Sequence, residues 1–224
     1  MIKNIETLLE TFGKDENFNK FYFVGGTALS SYLNHRVSYD IDFMSDNKLD
    51  QNLLNKMVVK YDARFIPDPD ESVFRINTGN DLKEYKMQFM IDSVKIEFFY
   101  PNDNMRVEIL KKYKESCDSF FGIKRVPLKG LGELKLVALF DRRKIRDLFD
   151  IYYLFYKKLL SCDDIDRFMS LKYSKTFVEF LDEFLDDGSE SLDFLPTQEF
   201  SHIKKNKIES LKRLFREEYI KRCL

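Results

Sequence analysis

Residues 21–44 restrict the fold of this chain more than any other stretch. Phe21-Tyr22-Phe23-Val24 is an apolar, aromatic run that stops at Gly25-Gly26, and Thr27-Ala28-Leu29 with Tyr32 and Leu33 has helical spacing. A buried strand therefore enters a tight turn that opens a helix. Such a turn presents unpaired backbone N–H groups and the positive end of a helix dipole, and a side chain at either glycine would obstruct close approach. It suits a phosphate. In Tyr39-Asp40-Ile41-Asp42-Phe43 the period is two, so Asp40 and Asp42 share one strand face while Ile41 and Phe43 point into a core. Two like carboxylates side by side repel unless a cation or a proton intervenes. Oxygen ligands of this kind suit Mg²⁺ or Mn²⁺, which take one or two carboxylates together with substrate phosphates.

The rest of the chain supplies a core and a second, helical part. With 224 residues, 44% hydrophobic content, 22 Phe and 12 Tyr, it can form one large or two small domains. A net charge of −1 excludes the overall basic field that dominates non-specific nucleic-acid binding and leaves room only for a local basic groove. Cys117, Cys162 and Cys223 are odd in number, scattered and without metal-ligand spacing, which argues against a disulfide framework or a zinc site and makes them bystanders. No signal-like or membrane-spanning apolar stretch is present, so the expected location is cytoplasmic.

Ile2, Ile5, Leu8, Leu9 and Phe12 predict a first helix, with Gly13 as a left-handed cap. Leu49, Leu53, Leu54, Met57 and Val58 predict another. Strands are predicted over 63–66, 73–77, 85–91 and 94–100, separated by Pro67-Asp68-Pro69-Asp70, Gly79-Asn80-Asp81 and Asp92-Ser93. Residues 101–130 are less legible, with 105–113 helical or extended and 120–126 a last strand. From 131 onward helices are expected over 131–141, 144–160, 163–171, 177–186 and 207–221, with breaks at Asp187-Gly188-Ser189 and Pro196. The fold class is α+β, a mixed sheet with flanking helices over residues 1–129 followed by a helical bundle over 130–224.

Three further groups carry charge. Glu97 lies between Ile96 and Phe98, so it faces away from the core beside Asp40 and Asp42, or it is a solvent-facing residue paired with a lysine such as Lys95. His35 and Arg36 cap the helix after the glycines, with a substrate role for Arg36 as the alternative. Lys135 precedes Arg142-Arg143-Lys144-Ile145-Arg146-Asp147-Leu148-Phe149-Asp150, in which Asp147 and Asp150 share a helix face and Arg143–Asp147 and Arg146–Asp150 have i,i+4 spacing. That is a surface salt-bridge ladder, or a phosphate-binding lysine with its positioning carboxylates. His202 and the run Lys204-Lys205-Asn206-Lys207 read as solvated surface.

The glycine pair, helix and Asp-x-Asp strand together resemble the DNA polymerase β-type nucleotidyltransferase superfamily. Gly25-Gly26-Thr27-Ala28-Leu29, His35-Arg36, Ser38 and Asp40-Ile41-Asp42-Phe43, followed by Lys135 and Arg-Asp-x-x-Asp at 146–150, resemble the AbiEii-like toxins of abortive-infection and type IV toxin–antitoxin systems. The likeness runs from residue 21 to about 155. It implies an NTP over Gly25, Gly26 and Thr27 with Arg36 and Ser38 nearby, and two divalent ions on Asp40, Asp42 and an acidic third ligand at Glu97. It also implies Lys135, Arg143 and Arg146 on the nucleotide, with Asp147 and Asp150 in catalysis. The acceptor implied is RNA, notably a tRNA 3′ end, or a protein hydroxyl, and a cognate antitoxin is the implied regulator. Two other readings are a non-catalytic nucleotide-binding module acting through protein interaction and a two-metal nuclease. The nuclease would not need the glycine cradle.

Overall fold

The computed structural model describes residues 2–185 and 207–224. The chain divides into two compact units, Met1–Gly130 and Leu131–Leu224. The first is an α+β unit, and among the described residues of the second the regular elements are all helices.

Among the described residues seven strands form one sheet: β1 Phe21–Val24, β2 Asp40–Ser45, β3 Arg64–Ile66, β4 Lys86–Ile91, β5 Val94–Phe99, β6 Asp118–Phe120 and β7 Ile123–Arg125. They lie in the order β3-β4-β5-β2-β1-β7-β6. β1 runs antiparallel to β2 and parallel to β7, and β2 runs parallel to β5, so the sheet is mixed, as expected. Alternation places Phe43 and Phe98 on one face, stacked 5.2 Å apart, where Phe18 packs edge-on against Phe43. Helix α1, Lys3–Phe12, buries Ile5, Leu8, Leu9 and Phe12 in this cluster. The centre of the sheet is thereby fixed from its aromatic side, which leaves the opposite face of β2 and β5 for polar groups.

Gly13 does not act as a left-handed cap, because its φ is −65°. It is there for close approach: a Cβ would fall 1.5 Å from the Phe121 carbonyl oxygen. Helix α2, Gly25–Leu33, ends instead at Asn34, with φ 47° and its N–H donated to the Ser30 carbonyl, so Asn34 and not His35-Arg36 closes that helix. Helix α3, Gln51–Lys60, is capped by the Asp50 side chain. The strand expected over 73–77 is helix α4, Glu71–Thr78, closed by Gly79 at φ 71°. Val73 and Ile76 are exposed on it, so an apolar, β-branched segment is helical without burying these side chains. Asp92 and Ser93, with φ of 46° and 65°, form the tight β4–β5 turn. Helix α5, Asn104–Tyr113, resolves the ambiguous stretch as helical. Arg125 on β7 then ties its hairpin to α2, pairing with Asp118 at 2.5 Å, donating to Ser31 Oγ at 2.8 Å and stacking on Tyr32.

The second unit follows α6 Leu128–Arg142 with α7 Ile145–Tyr156, α8 Cys162–Lys172, α9 Phe177–Asp182 and α10 Lys207–Cys223. Capping boxes Ser161/Asp164 and Thr176/Glu179 start α8 and α9. Leu211, Phe215 and Tyr219 of α10 are buried, with Phe215 against Tyr152, Phe155 and Phe177. Cys162 and Cys223 are bonded to each other, so two of the three cysteines are not bystanders. Helix packing brings the start of α8 to the end of α10, across 61 residues of sequence. The breaks at Asp187-Gly188-Ser189 and Pro196, His202 and Lys204-Lys205-Asn206 lie outside the described residues. Among the described residues no helix is long and apolar enough to cross a membrane.

Candidate active site

The buried strand β1 delivers the chain to Gly25, whose φ of +79° is a left-handed conformation that glycine adopts without strain. A Cβ on Gly25 would lie 1.9 Å from Asp42 Oδ2, and one on Gly26 would lie 2.6 Å from Arg36 Nη2 and 2.9 Å from Ser38 Oγ. The fold thus presses Asp42, Arg36 and Ser38 against a bare backbone turn at a helix N-terminus. Arg36 is buried, and its Nη1 donates to the Val37 carbonyl at 3.1 Å. Thr27 is buried and its hydroxyl donates to the main-chain carbonyl of Asp40, pinning the first turn of α2 to the first residue of β2. That bond uses the one proton of the hydroxyl.

On β2, Ile41 and Phe43 are fully buried, while Asp40 and Asp42 are half-buried on the opposite face. Parallel pairing sets Lys95 level with Asp40 and Glu97 level with Asp42 on β5, and Gln88 of β4 level with Glu97. The four residues Asp40, Asp42, Lys95 and Glu97 form a two-by-two patch. Glu97 Oε2 accepts from Gln88 Nε2 at 2.5 Å and lies 3.6 Å from Lys95 Nζ and 3.8 Å from Lys86 Nζ, while Lys86 also reaches Asp68 at 2.8 Å. Among the described residues no three acidic, histidine or cysteine side chains are gathered to hold a metal, so the expected set of Asp40, Asp42 and Glu97 is not assembled. Glu97 is instead occupied by two lysines and an amide. Asp40 is different: among the described residues no ion pair reaches its carboxylate. A half-buried carboxylate pair beside a bare turn fits a hard divalent ion that completes its shell with phosphate oxygens.

In the second unit, α6 ends at Arg142 and Arg143 turns the chain with φ 49° before α7 begins. Lys135 Nζ lies 2.9 Å from Asp147 Oδ1 and 2.8 Å from Asp150 Oδ2, and all three side chains are buried. Arg142 closes on Asp147 from the other side, with Nε at 2.6 Å and Nη2 at 2.9 Å. Burial alone would raise the Asp147 pKa, but Lys135 and then Arg142 outweigh it and hold the carboxyl well below the usual range. The expected ladder is therefore an interior cluster. Asp147 takes Arg142 where Arg143 was expected, because Arg143 lies outside the helix with its guanidinium near the rings of Tyr173 and Phe180. Arg146 is part-exposed in the first turn of α7.

Arg142, Lys86 and Gln88 were not singled out by the sequence. Gln88 and Lys86 share a strand with period two, and their alternation with Met87 and Phe89 was the available signal. Arg142 has no comparable signal, since it depends on a helix break at a non-glycine residue.

Residues 7–218 match the family model described as nucleotidyl transferase AbiEii toxin, type IV TA system. An uncharacterised protein of Aquifex aeolicus, aq_aa25, is 24% identical over 158 residues, 69% of this chain and 67% of that protein. Among solved structures, a putative nucleotidyltransferase from H. pylori aligns with TM-score 0.50 at 19% identity, covering 97% of this chain and 96% of the other. JHP933 from Helicobacter pylori aligns with TM-score 0.48 at 17% identity, covering 97% and 92%. The glycine turn, the Asp-x-Asp strand and a family match over nearly the whole chain converge: this chain belongs to the AbiEii nucleotidyltransferase toxins of type IV toxin–antitoxin systems, with the DNA polymerase β-type superfamily fold.

Proposed function

We propose that the chain moves a nucleoside monophosphate from an NTP to a hydroxyl of RNA, a tRNA 3′ end being the acceptor to test first, and that a cognate antitoxin restrains it. The observation that carries this reading is the 1.9 Å between a hypothetical Gly25 Cβ and Asp42 Oδ2. Backbone donors for an anion and a carboxylate for its counter-ion share a surface that a side chain would block. Gly25 and Gly26 would receive the triphosphate, with Arg36 and Ser38 beside them. Asp40 and Asp42 would hold Mg²⁺ or Mn²⁺, which neutralises phosphate charge and lowers the pKa of a bound hydroxyl. In the second unit, Lys135 is assigned to a substrate phosphate and Asp147 and Asp150 to fixing its amine.

In the transfer, the acceptor oxygen bonds to the α-phosphorus and the bond from that phosphorus to the bridging oxygen breaks. Pyrophosphate leaves, and the hydroxyl proton passes to a base. The chain's task is positioning: the turn and Arg36 restrain the leaving group, and the fixed carboxylates stand ready without reorganising. Incubation with each α-labelled NTP and total RNA tests the reading. Label in RNA with the wild type and none with Asp42→Asn is the expected result. Label on protein would move the acceptor class, and normal labelling by Asp42→Asn would overturn the assignment.

A further inference from the structure

Lys95 is the cationic member of the two-by-two patch, and neither the metal nor the triphosphate uses it. Its position is set by the sheet: level with Asp40 on the neighbouring strand, hence about 4.8 Å away at the backbone, and on the same face. Its amine lies 3.6 Å from Glu97 Oε2, which is an ion-pair distance and too long for a hydrogen bond. Glu97 itself is fixed by Gln88 at 2.5 Å. Among the described residues Lys95 donates no side-chain hydrogen bond, so its N–H donors are unspent, and its side chain is 36% exposed. Lys86 adds a second cation on the same side, held by Asp68.

The strand order β4-β5-β2-β1 places these lysines across the carboxylates from the glycine turn. In phosphoryl transfer the attacking and leaving oxygens lie roughly in line. With pyrophosphate leaving toward the turn at the end of β1, the acceptor enters from the β5 side, where it meets Lys95. We propose that Lys95 is an acceptor-binding residue that takes a backbone phosphate of the incoming RNA strand, its ammonium held near Asp40 by Glu97. This rests on the transferase reading above, and it departs from the expectation that Glu97 is a metal ligand.

The probe is a 5′-fluoresceinated single-stranded RNA of about 12 nucleotides, read by anisotropy on the full chain between about 50 and 200 mM salt without NTP. Lys95→Gln is expected to weaken binding about tenfold and to reduce the slope of log K against log salt by about 0.7, the counterion release of one single-strand phosphate. Lys95→Arg should keep both, and the thermal shift that NTP gives with Mn²⁺ should be the same in all three proteins. In turnover, Lys95→Gln should raise the KM for RNA and leave the KM for NTP alone. Unchanged RNA affinity and slope in Lys95→Gln would overturn the proposal. So would loss of the NTP-induced shift, which would put Lys95 on the triphosphate, or a wild type that labels protein and binds no RNA. A wild type that binds RNA through Lys95 yet transfers no nucleotide would sink the transferase reading and leave this one standing.

Discussion

On the sheet face Asp40 is half-buried and, among the described residues, no ion pair reaches it, whereas in the helical unit the fully buried Asp147 takes Lys135 at 2.9 Å and Arg142 at 2.6 Å. The two clusters use the same residue types and solve the electrostatic problem in opposite ways. Beside the glycine turn, Asp40 stands next to a second carboxylate, and among the described residues no ion pair compensates it. Between α6 and α7, Lys135 and Arg142 bring the compensation within the fold. A half-buried carboxylate that no ion pair reaches, set beside a second carboxylate, lowers stability, so the place of Asp40 is best explained by a ligand. A compensated buried network can exist without one, although it is no better for stability than packed apolar groups of similar size.

A matched pair of substitutions tests that contrast and carries the largest effects. Asp147→Asn should cost about 3–5 kcal/mol in urea unfolding, because Lys135 and Arg142 lose a buried counter-charge. Asp40→Asn should lower transfer at least about a thousandfold while leaving the melting temperature unchanged or higher. Equal stability losses at both positions would break the comparison. The pH dependence follows the same division. Asp147 has a depressed folded pKa, so its contribution is complete above the unfolded value of about 3.9 and is lost as pH falls below that value. Wild type should therefore lose stability on acidification below about pH 4 more steeply than Asp147→Asn. Lys135→Ala separates the two uses of this network: a lysine that also meets substrate raises the KM for NTP in whatever protein remains folded, and an architectural one lowers only the melting temperature.

The two regions also differ in how far the sequence exposed them. The strand, glycine pair, helix and Asp-x-Asp are contiguous, and local periodicity dictates each step, so the glycine turn and the Asp40–Asp42 face are legible in the sequence, whereas Arg36 and Ser38 come beside the turn only through the family resemblance. Local pattern offered Lys95 as a partner for Glu97, and that ion pair is present at 3.6 Å, but it could not give Gln88 and Lys86, which depend on the β4–β5 register. In the second region Asp147 and Asp150 follow from i,i+3 spacing, but the involvement of Arg142 depends on Arg143 adopting φ 49°, a conformation without a sequence marker at arginine. Helix α4 was misread because Val73 and Ile76 are β-branched. The acidic Glu71 in its first turn and Gly79 just past its end were the better signals, since they report helix ends directly. The Cys162–Cys223 bond joins positions brought together only by packing of α8 and α10, which spacing arithmetic does not see.

That bond gives a smaller prediction confined to the helical unit. Closing a loop of 61 residues removes chain entropy worth up to about 4 kcal/mol. α10 is also held by Phe215, by Tyr219 on Asp166 and by Arg222 donating to the Phe155 carbonyl at 2.7 Å. Cys223→Ser or dithiothreitol should therefore cost about 2–4 kcal/mol without releasing the helix. The checks are melting with and without reductant and amide exchange along α10. RNA binding through Lys95 should be unaffected, and a reductant effect of equal size on both would show that the two units do not respond separately.

The smallest effect comes from a compensated carboxylate in the same unit as Asp40 and Asp42. Asp15 is buried, and it accepts from Lys60 at 2.8 Å and Tyr61 at 2.6 Å on one oxygen and from the Asn17 main chain at 3.1 Å on the other. Burial alone would raise its pKa, but the bonds from Lys60, Tyr61 and Asn17 outweigh this and bring it down to about 2. Because the folded value is depressed, the stabilisation is present above about pH 4 and disappears as pH falls toward about 2. Asp15→Asn should cost about 1–2 kcal/mol at neutral pH, with the gap to wild type closing over that acid range and transfer unchanged. If Asp15→Asn lowered transfer as strongly as Asp42→Asn, loss of any carboxylate in this unit would disable the enzyme, and the special place given to the pair beside the glycine turn would fall. If it lowers stability alone, the unit separates its carboxylates into those that hold the fold and those that await a ligand.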